Sequence, residues 1–442
     1  MDTTQVQNRP PAGRRGLPLL GETMAFAKNP FRFIEERLAA HGSVFRSNVL
    51  GRDTVVVAGP EATTQFVDDS RIMREGSMPP HVQELFGGRS LPLLDGDVHR
   101  ARKNVVLQGF TRDALTGYLP IMQNAVEAAF AQWATRDEIR WIDELKKLSI
   151  EIICSTVIGL SPGPEIDALR RDYAIVTDGF ATLPINLPGT RYHKALKARD
   201  RILALLRRKV IERRAAPASD GLSRMLAART PLGAGLSDDE AVLELHHVVI
   251  AGFIVFGELA AIARQLAEHP DVRQRLTDEI RAVAASGTLT LESLMRMPYL
   301  GQVMMEVKRL TPIVPAVFGR SRTSFDVGGV TIPAGWMVMW AITPTHTTHG
   351  KYTDAERFDP DRFSPERAED KRHEHAFVPQ GAGPVTGHRC PGLDFATYAM
   401  EVFTVVLLRG YDWMLPSQSF DLDWSKTPPE LKDGLRARIR AV

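Results

Sequence analysis

From about Pro60 to Pro312 the apolar residues recur with helical spacing. The run is interrupted only at Pro79-Pro80, at "LPINLPGT" (183–190), at "RAAPASDG" (214–221) and at "TPLGAG" (230–235). Apolar positions at i, i+3, i+4 and i+7 mark amphipathic helices, and short breaks rich in proline and glycine are turns between them. A helical stretch of this length, with no linker inside it, points to one large, mainly α domain. Length alone would favour two or three domains, since 442 residues exceed the size at which single cores usually stop growing.

Shorter elements flank the helical body. Asn29 can cap a helix, Pro30 suits its first position, and Gly42 ends it after "FRFIEERLAAH". "SVFRSNVLGRDTVVVAG" then reads as two strands joined around Gly51, and "FDVGGVTIPAGWMVMW" as further short strands. "DAERFDPDRFSPERAEDKRHEH" is polar, proline-punctuated loop. A last helix over 393–409 carries Phe395, Ala399, Val402 and Val406 on one apolar stripe. The expected unit is a single domain over 1–442, with residues 1–15 as a flexible lead.

Hydrophobic residues at 44%, charged residues at 24% and a net charge of +2 give ordinary soluble composition, and nothing in it points to nucleic acid. The only cysteines are Cys154 and Cys390, without a Cys-x-x-Cys pair, which argues against a disulfide framework or structural zinc and fits a reducing cytoplasm. The N-terminus has no apolar run of signal-peptide length. Leu245 to Gly257, the longest uncharged apolar run, is too short to span a bilayer, includes His246 and His247, and reads as a buried core helix. A cytoplasmic monomer is the expectation.

Three separated features carry chemistry. "MMEVKRLTP" places Glu306 and Arg309 at i and i+3 on one helix face. "YTDAERFDPDRF" places Arg362 in the polar loop segment. "FVPQGAGPVTGHRCPGLDFA" sets Cys390 between a glycine-rich loop and the start of an apolar helix. Taken singly, the first is a surface ion pair and a lone cysteine is a small buried hydrophobe, which is the reading for Cys154 among its apolar helical neighbours.

Together, and in this order and spacing, the three resemble the cytochrome P450 family, and the resemblance runs from about Gly16 to Ile439. It implies a mainly α cytochrome P450 fold, with long helices around a buried haem b and small peripheral β-sheets. Cys390 would be the thiolate ligand of the iron, and Glu306, Arg309 and Arg362 would form a buried structural network. "LLDGDVHRARKNVVLQGF" resembles the family's helix across one haem face, which offers His99 and Lys103 to the propionates. "VPAVFGRSRTSFDVGGVTIPAGW" resembles the strand that supplies a propionate arginine, Arg320 being preferred to Arg322, and His388 holds the basic position before the cysteine. The residue chemistry agrees. Glycines at 381, 383, 387 and 392 allow backbone near a flat cofactor, and a helix start beside the sulfur favours thiolate, the axial ligand that promotes O–O cleavage.

Two departures bear on the reaction. The long loop "PQGAGPVTGHRCPG" resembles the bacterial peroxygenase branch, whereas "FATLPINLPGTRYHKALKARDRIL" and "IPAGWMVMWAITPTH" resemble the branch of retinoic-acid hydroxylases and their cyanobacterial relatives. In the distal helix, Ala251, Gly252 and Phe253 are followed by Ile254 and Val255, where monooxygenases of the family generally carry an acid and a threonine, and no Arg-Pro pair replaces them. Gly252, Phe253, Ile254 and Val255 are expected to line the distal pocket. Glu258, one turn or about 6 Å beyond Ile254, is the candidate proton relay.

The resemblance implies an oxidoreductase, a monooxygenase that inserts oxygen into an apolar small molecule of isoprenoid, polyketide or fatty-acyl type, as in secondary metabolism, with electrons from a ferredoxin and its reductase. The alternative is a haem-thiolate enzyme that does not activate O2: a peroxygenase, or an isomerase, cyclase or dehydratase. "HTTH" (346–349) and "HEH" (373–375) lack metal-ligand spacing and read as solvated loop histidines. The basic run from Arg191 to Arg214 reads as a solvated helix face.

Overall fold

Helix α1 (Pro30–His41) starts as its sequence dictates: Asn29 Oδ1 accepts the Arg32 N–H at 3.0 Å, Pro30 stands at the first position, and Gly42 closes the helix with φ 89° and its N–H on Leu38 O. The computed structural model describes residues 10–18, 20–49, 51–230, 233–311, 313–424 and 426–442. Residues 1–9 of the expected lead and Pro312, the expected helix stop, lie outside them. Within the rest of that lead, Gly13 bridges Arg46, whose N–H donates to Ala12 O, so this part is laid against strand β1.

β1 (Val44–Val49) and β2 (Arg52–Val57) form the hairpin. They join β3 (Ile72–Met73), β4 (Ala316–Ser321) and β5 (Met337–Ala341) in one sheet of order β1-β2-β5-β4-β3. The β2–β5 pair is parallel, Val57 opposite Trp340, and the others are antiparallel. A parallel pair needs a crossover between its strands. Here that crossover is the helical body itself.

The body comprises α2 (Gly96–Leu107), α3 (Arg112–Trp133), α4 (Trp141–Ile153), α5 (Pro164–Phe180), α6 (Arg191–Ala215), α7 (Asp238–Phe253), α8 (Phe256–Glu268) and α9 (Pro298–Leu310), followed after the sheet by α10 (Ile342–His346) and α11 (Leu393–Gly410), among other helices. The architecture is mainly α with small sheets, as the sequence implied. Phe130, Trp133, Trp141 and Phe403 pack where α3, α4 and α11 meet, with Phe130–Trp133 and Trp133–Trp141 centroids 4.8 and 5.4 Å apart in edge contacts. Burial of each ring is worth about 1.5–3 kcal/mol, and the edge geometry adds roughly 0.5–1.5. Cys154 follows α4, fully buried in this core. The basic face of α6 is paired: Arg201, Lys209 and Arg213 meet Asp172, Glu165 and Asp220.

The apolar run read as one core helix is two. A capping box of Ser237 and Glu240 starts α7. At Ile254–Val255 the ladder tightens, Gly257 N–H bonding Ile254 O and Glu258 N–H bonding Val255 O, before α8 resumes. Gly252 and Gly257 bracket this turn and let neighbours close in: an added Cβ at Gly252 would lie 2.4 Å from Ile153 Cγ1 of α4, and one at Gly257 3.3 Å from Pro428. Asp238–Glu268 is also, among the described residues, the one stretch long and apolar enough to cross a membrane, and most of it is buried in the core.

Candidate functional site

α9 projects Glu306 and Arg309 from one face, as their spacing requires. Arg309 Nε and NH2 grip the carboxylate at 2.6 and 2.8 Å, and Arg362, brought by the polar segment, donates its Nε to Glu306 Oε1 at 3.0 Å. All three side chains are fully buried. The two guanidinium groups also donate to carbonyls of His346, Thr353, Asp354, Ala355 and Arg357, so the segment around Arg362 is ordered by charge in place of regular structure.

Beside this network lies the cysteine loop. Cys390 N–H donates to Gln380 O at 3.0 Å, Gly381 takes φ 89°, and Val378 N–H donates to His346 Nε2 at 2.8 Å. His346 therefore is no solvated loop residue. It ends α10, is fully buried, and is held neutral because burial, then Arg309, pushes its imidazole down to about 3. His375 is buried too. The expectation of solvated loop fails for His346, which ends a helix and packs beside Tyr352 and Phe377, whereas His375 does lie in a turn but is buried rather than solvated. Among the described residues no cluster of potential ligands forms a further metal site.

A cavity of about 220 Å³ runs from Cys390 and Gly381 past Val317, Phe318 and Trp340 to His247 of α7. Besides His247, four cationic or potentially cationic groups border it: Arg74, His99, Lys103 and His388. The His99 and His388 rings stack with centroids 3.9 Å apart. Burial, then the neighbouring His388 and Lys103, push His99 down to about 3. Burial pushes Lys103 down to about 8, and its ammonium is held on the carbonyls of Gly387 and Arg389. Asp95 stands behind: burial would raise its carboxyl, but His388 and the N–H groups of Arg74 and Glu75 hold it well below the usual range.

The strand arginine is misplaced in the sequence reading. Arg320 is exposed, its guanidinium against Met73 Sδ, and Arg322, also exposed, donates its Nε to Asp69 O at 2.9 Å and lies 3.6 Å from Asp95. Arg74, which no motif marked, takes the cavity position: it is 6% exposed, lies over the Phe66 ring and donates to Phe318 O, beside a Gly319 whose missing Cβ would sit 3.3 Å from its NH1.

The four residues expected in the distal pocket do not share a wall, because four consecutive helical positions point around the axis. Gly252 is pressed on Ile153, Phe253 packs with Tyr173 and Phe256, and Val255 is buried. Ile254 alone of the four stays partly exposed. Glu258 is buried with Oε2 unpartnered, and burial raises its carboxyl, opposed by Lys308. Lys308, inside the Glu-x-x-Arg motif, is buried and donates to Gln380 Oε1 and Thr397 Oγ1, both at 2.7 Å, tying the cysteine loop to the first turn of α11. Sequence reading missed it because the motif names only its outer residues.

These residues fit a haem with a thiolate ligand. Cys390 is partly buried on the cavity wall; burial raises its thiol, while the Gly392 N–H, Lys103 and Lys308 stabilise the thiolate. The cationic groups suit carboxylate substituents, and the apolar walls suit a flat ring system.

Comparison with known proteins agrees. The chain matches the cytochrome P450 family model over residues 10–431. It is 31% identical to a putative cytochrome P450 120 of Synechocystis sp. over 98% of this chain and 97% of that one, and 29% identical to cytochrome P450 26B1 of Danio rerio over 97% and 86%. Its fold matches the retinoic acid-bound cyanobacterial CYP120A1 with a TM-score of 0.91 at 30% identity, covering 98% of this chain and all of that one. Ligand-free cytochrome P450 OleT matches with a TM-score of 0.82 at 23% identity, covering 97% and 99%, a likeness of fold alone.

Proposed function

The chain belongs to the cytochrome P450 family, an oxidoreductase class that carries haem on a cysteine thiolate, and we propose that this member is a monooxygenase acting on an apolar isoprenoid-type molecule. The observation that carries the reading is Cys390 on the wall of a cavity whose other side chains are mostly apolar, apart from Gln380 and the bordering basic groups. Bound haem would supply activation of oxygen. Cys390 would ligate it, and Arg74, His99, Lys103 and His388 would hold its carboxylates. Val67, Leu91, Val317, Phe318 and Trp340 would exclude water and select an apolar skeleton. Glu258, a buried acid with a raised carboxyl, would keep a proton in this interior.

The isoprenoid class is favoured over polyketide or fatty-acyl skeletons by the range of relatives: CYP120A1 is retinoic acid-bound, and a relative 28% identical is a cholesterol 22-monohydroxylase of Paris polyphylla. Cytoplasmic location, a monomeric state and a ferredoxin with its reductase as electron source belong to the same proposal. A second reading, turnover with peroxide or without oxidant, rests on Ile254 and Val255, which cannot relay protons.

The test incubates haem-loaded protein with retinoid, sterol and fatty-acid candidates under isotopically labelled O2. One arm has reduced ferredoxin, one hydrogen peroxide, and one no oxidant. Label in product only in the ferredoxin arm supports monooxygenation. Turnover in the peroxide arm alone, or without oxidant, replaces it with the second reading.

A further inference from the structure

Beyond the exposed acidic first turn of α7, the residues left partly exposed along the helix and the turn after it are Leu243, His247, Ala251 and Ile254, while those between them are buried. This spacing is one helical stripe. It is apolar but for His247, which lines the cavity that begins at Cys390.

His247 is held from behind. Its Nδ1 is buried without a hydrogen-bond partner and lies 3.6 Å from Glu244 Oε2. Glu244, three residues earlier on the same helix, is fully buried: its Oε1 accepts from Arg102 NH1 at 3.2 Å and its Oε2 from the Leu91 N–H at 3.1 Å. Arg102 is itself anchored on Glu240 and on Arg89 O. Phe86, stacked on Phe180, lies 6.4 Å from the His247 ring. At 3.6 Å the contact is too long for a hydrogen bond, but a fixed negative charge there favours the ring orientation that keeps Nδ1 on its side. With Nδ1 buried on the Glu244 side, Nε2 is the ring nitrogen left for a ligand.

We propose that His247, braced by Glu244, is the polar anchor of the ligand site and receives one oxygenated group, a hydroxyl or carboxyl, on an otherwise apolar ligand. The inference rests on the monooxygenase reading for its ligand class but concerns binding, so it is tested without turnover. His247 acts by hydrogen bonding to the ligand; Glu244 is a positioning residue.

Three probes share one isoprenoid skeleton: limonene, perillyl alcohol and perillic acid. Their affinities for the haem-loaded enzyme are measured by equilibrium dialysis and by haem absorbance. The wild type binds at least one of the oxygenated probes about three- to tenfold tighter than limonene, the range expected for one net hydrogen bond. His247→Phe and His247→Leu bring the ratio of oxygenated-probe to limonene affinity to about one, and His247→Gln keeps part of the preference. Haem content and the carbon monoxide spectrum establish that each variant is folded, and the leucine variant guards against a phenylalanine that does not fit. Limonene binding with no wild-type preference, or a preference that survives in both apolar variants, overturns the role of His247 and leaves the monooxygenase reading standing. Failure of all three probes to bind overturns the anchor together with the isoprenoid assignment.

Discussion

Replacing Arg362 by methionine keeps much of the side-chain volume but removes five hydrogen bonds: to Glu306 Oε1 and Glu369 Oε2, and to the carbonyls of Thr353, Asp354 and Arg357. Glu306 retains Arg309, so it is not stripped of all charge compensation. Two buried carboxylates nonetheless each lose a charged donor, and breaking a buried ion pair by deleting one partner costs about 3–5 kcal/mol. At about 1.4 kcal/mol per decade, a 4 kcal/mol loss lowers the folded-to-unfolded ratio roughly a thousandfold. Arg362→Lys recovers only part, since one ammonium cannot reproduce a planar fork. Urea unfolding followed by far-UV circular dichroism and by haem absorbance measures the effect. Arg32→Met serves as control, because Arg32 and Glu36 form an exposed pair and its loss costs less than about 1 kcal/mol. An Arg362→Met loss no larger than the control's would refute the argument that this network orders the segment.

Gly252→Ala forces a methyl to within 2.4 Å of Ile153 Cγ1 and destabilises by about 1–3 kcal/mol, part of which a second change, Ile153→Ala, relieves; equal losses in both backgrounds would show that α7 and α4 do not meet there. Cys390→Ser abolishes the thiolate-type spectrum of the reduced carbon monoxide complex, and its retention would place the ligand elsewhere. His246 and His346 are buried and neutral, with imidazoles pushed by burial from 6.5 down to about 4 and about 3. A depressed histidine contributes its full stability above the unfolded value and loses it as pH falls from 6.5 towards the folded value, at about 1.4 kcal/mol per unit and per histidine. Unfolding midpoints measured between pH 7 and 5 should therefore fall less steeply in His246→Gln than in the wild type, and unchanged slopes would contradict it.

The Glu306–Arg309–Arg362 set and Cys390 were legible because each lies in a local pattern whose spacing survives in one dimension: i and i+3 on a helix, or glycines beside a helix start. Arg74 was not, since it follows β3 and lies against Gly319 of β4, whose missing side chain leaves it room, and β3 and β4 are distant in sequence. Lys308 stood in plain view inside a motif, yet its role depends on Gln380 and Thr397 arriving from the cysteine loop and α11. His346 read as solvated because a histidine between threonines carries no mark of what will cover it.

By itself, the sequence determined the class of fold, the position of the thiol and the identity of the buried ion network, since helix periodicity, capping and short-range spacing are local properties. The tertiary structure decided which side chains share the cavity. Four consecutive residues, 252 to 255, looked like one wall and became four directions, because a helix turns about 100° per residue and a close α7–α4 contact set its rotation. That rotation gave the wall to His247, a residue the sequence showed only as part of an apolar run.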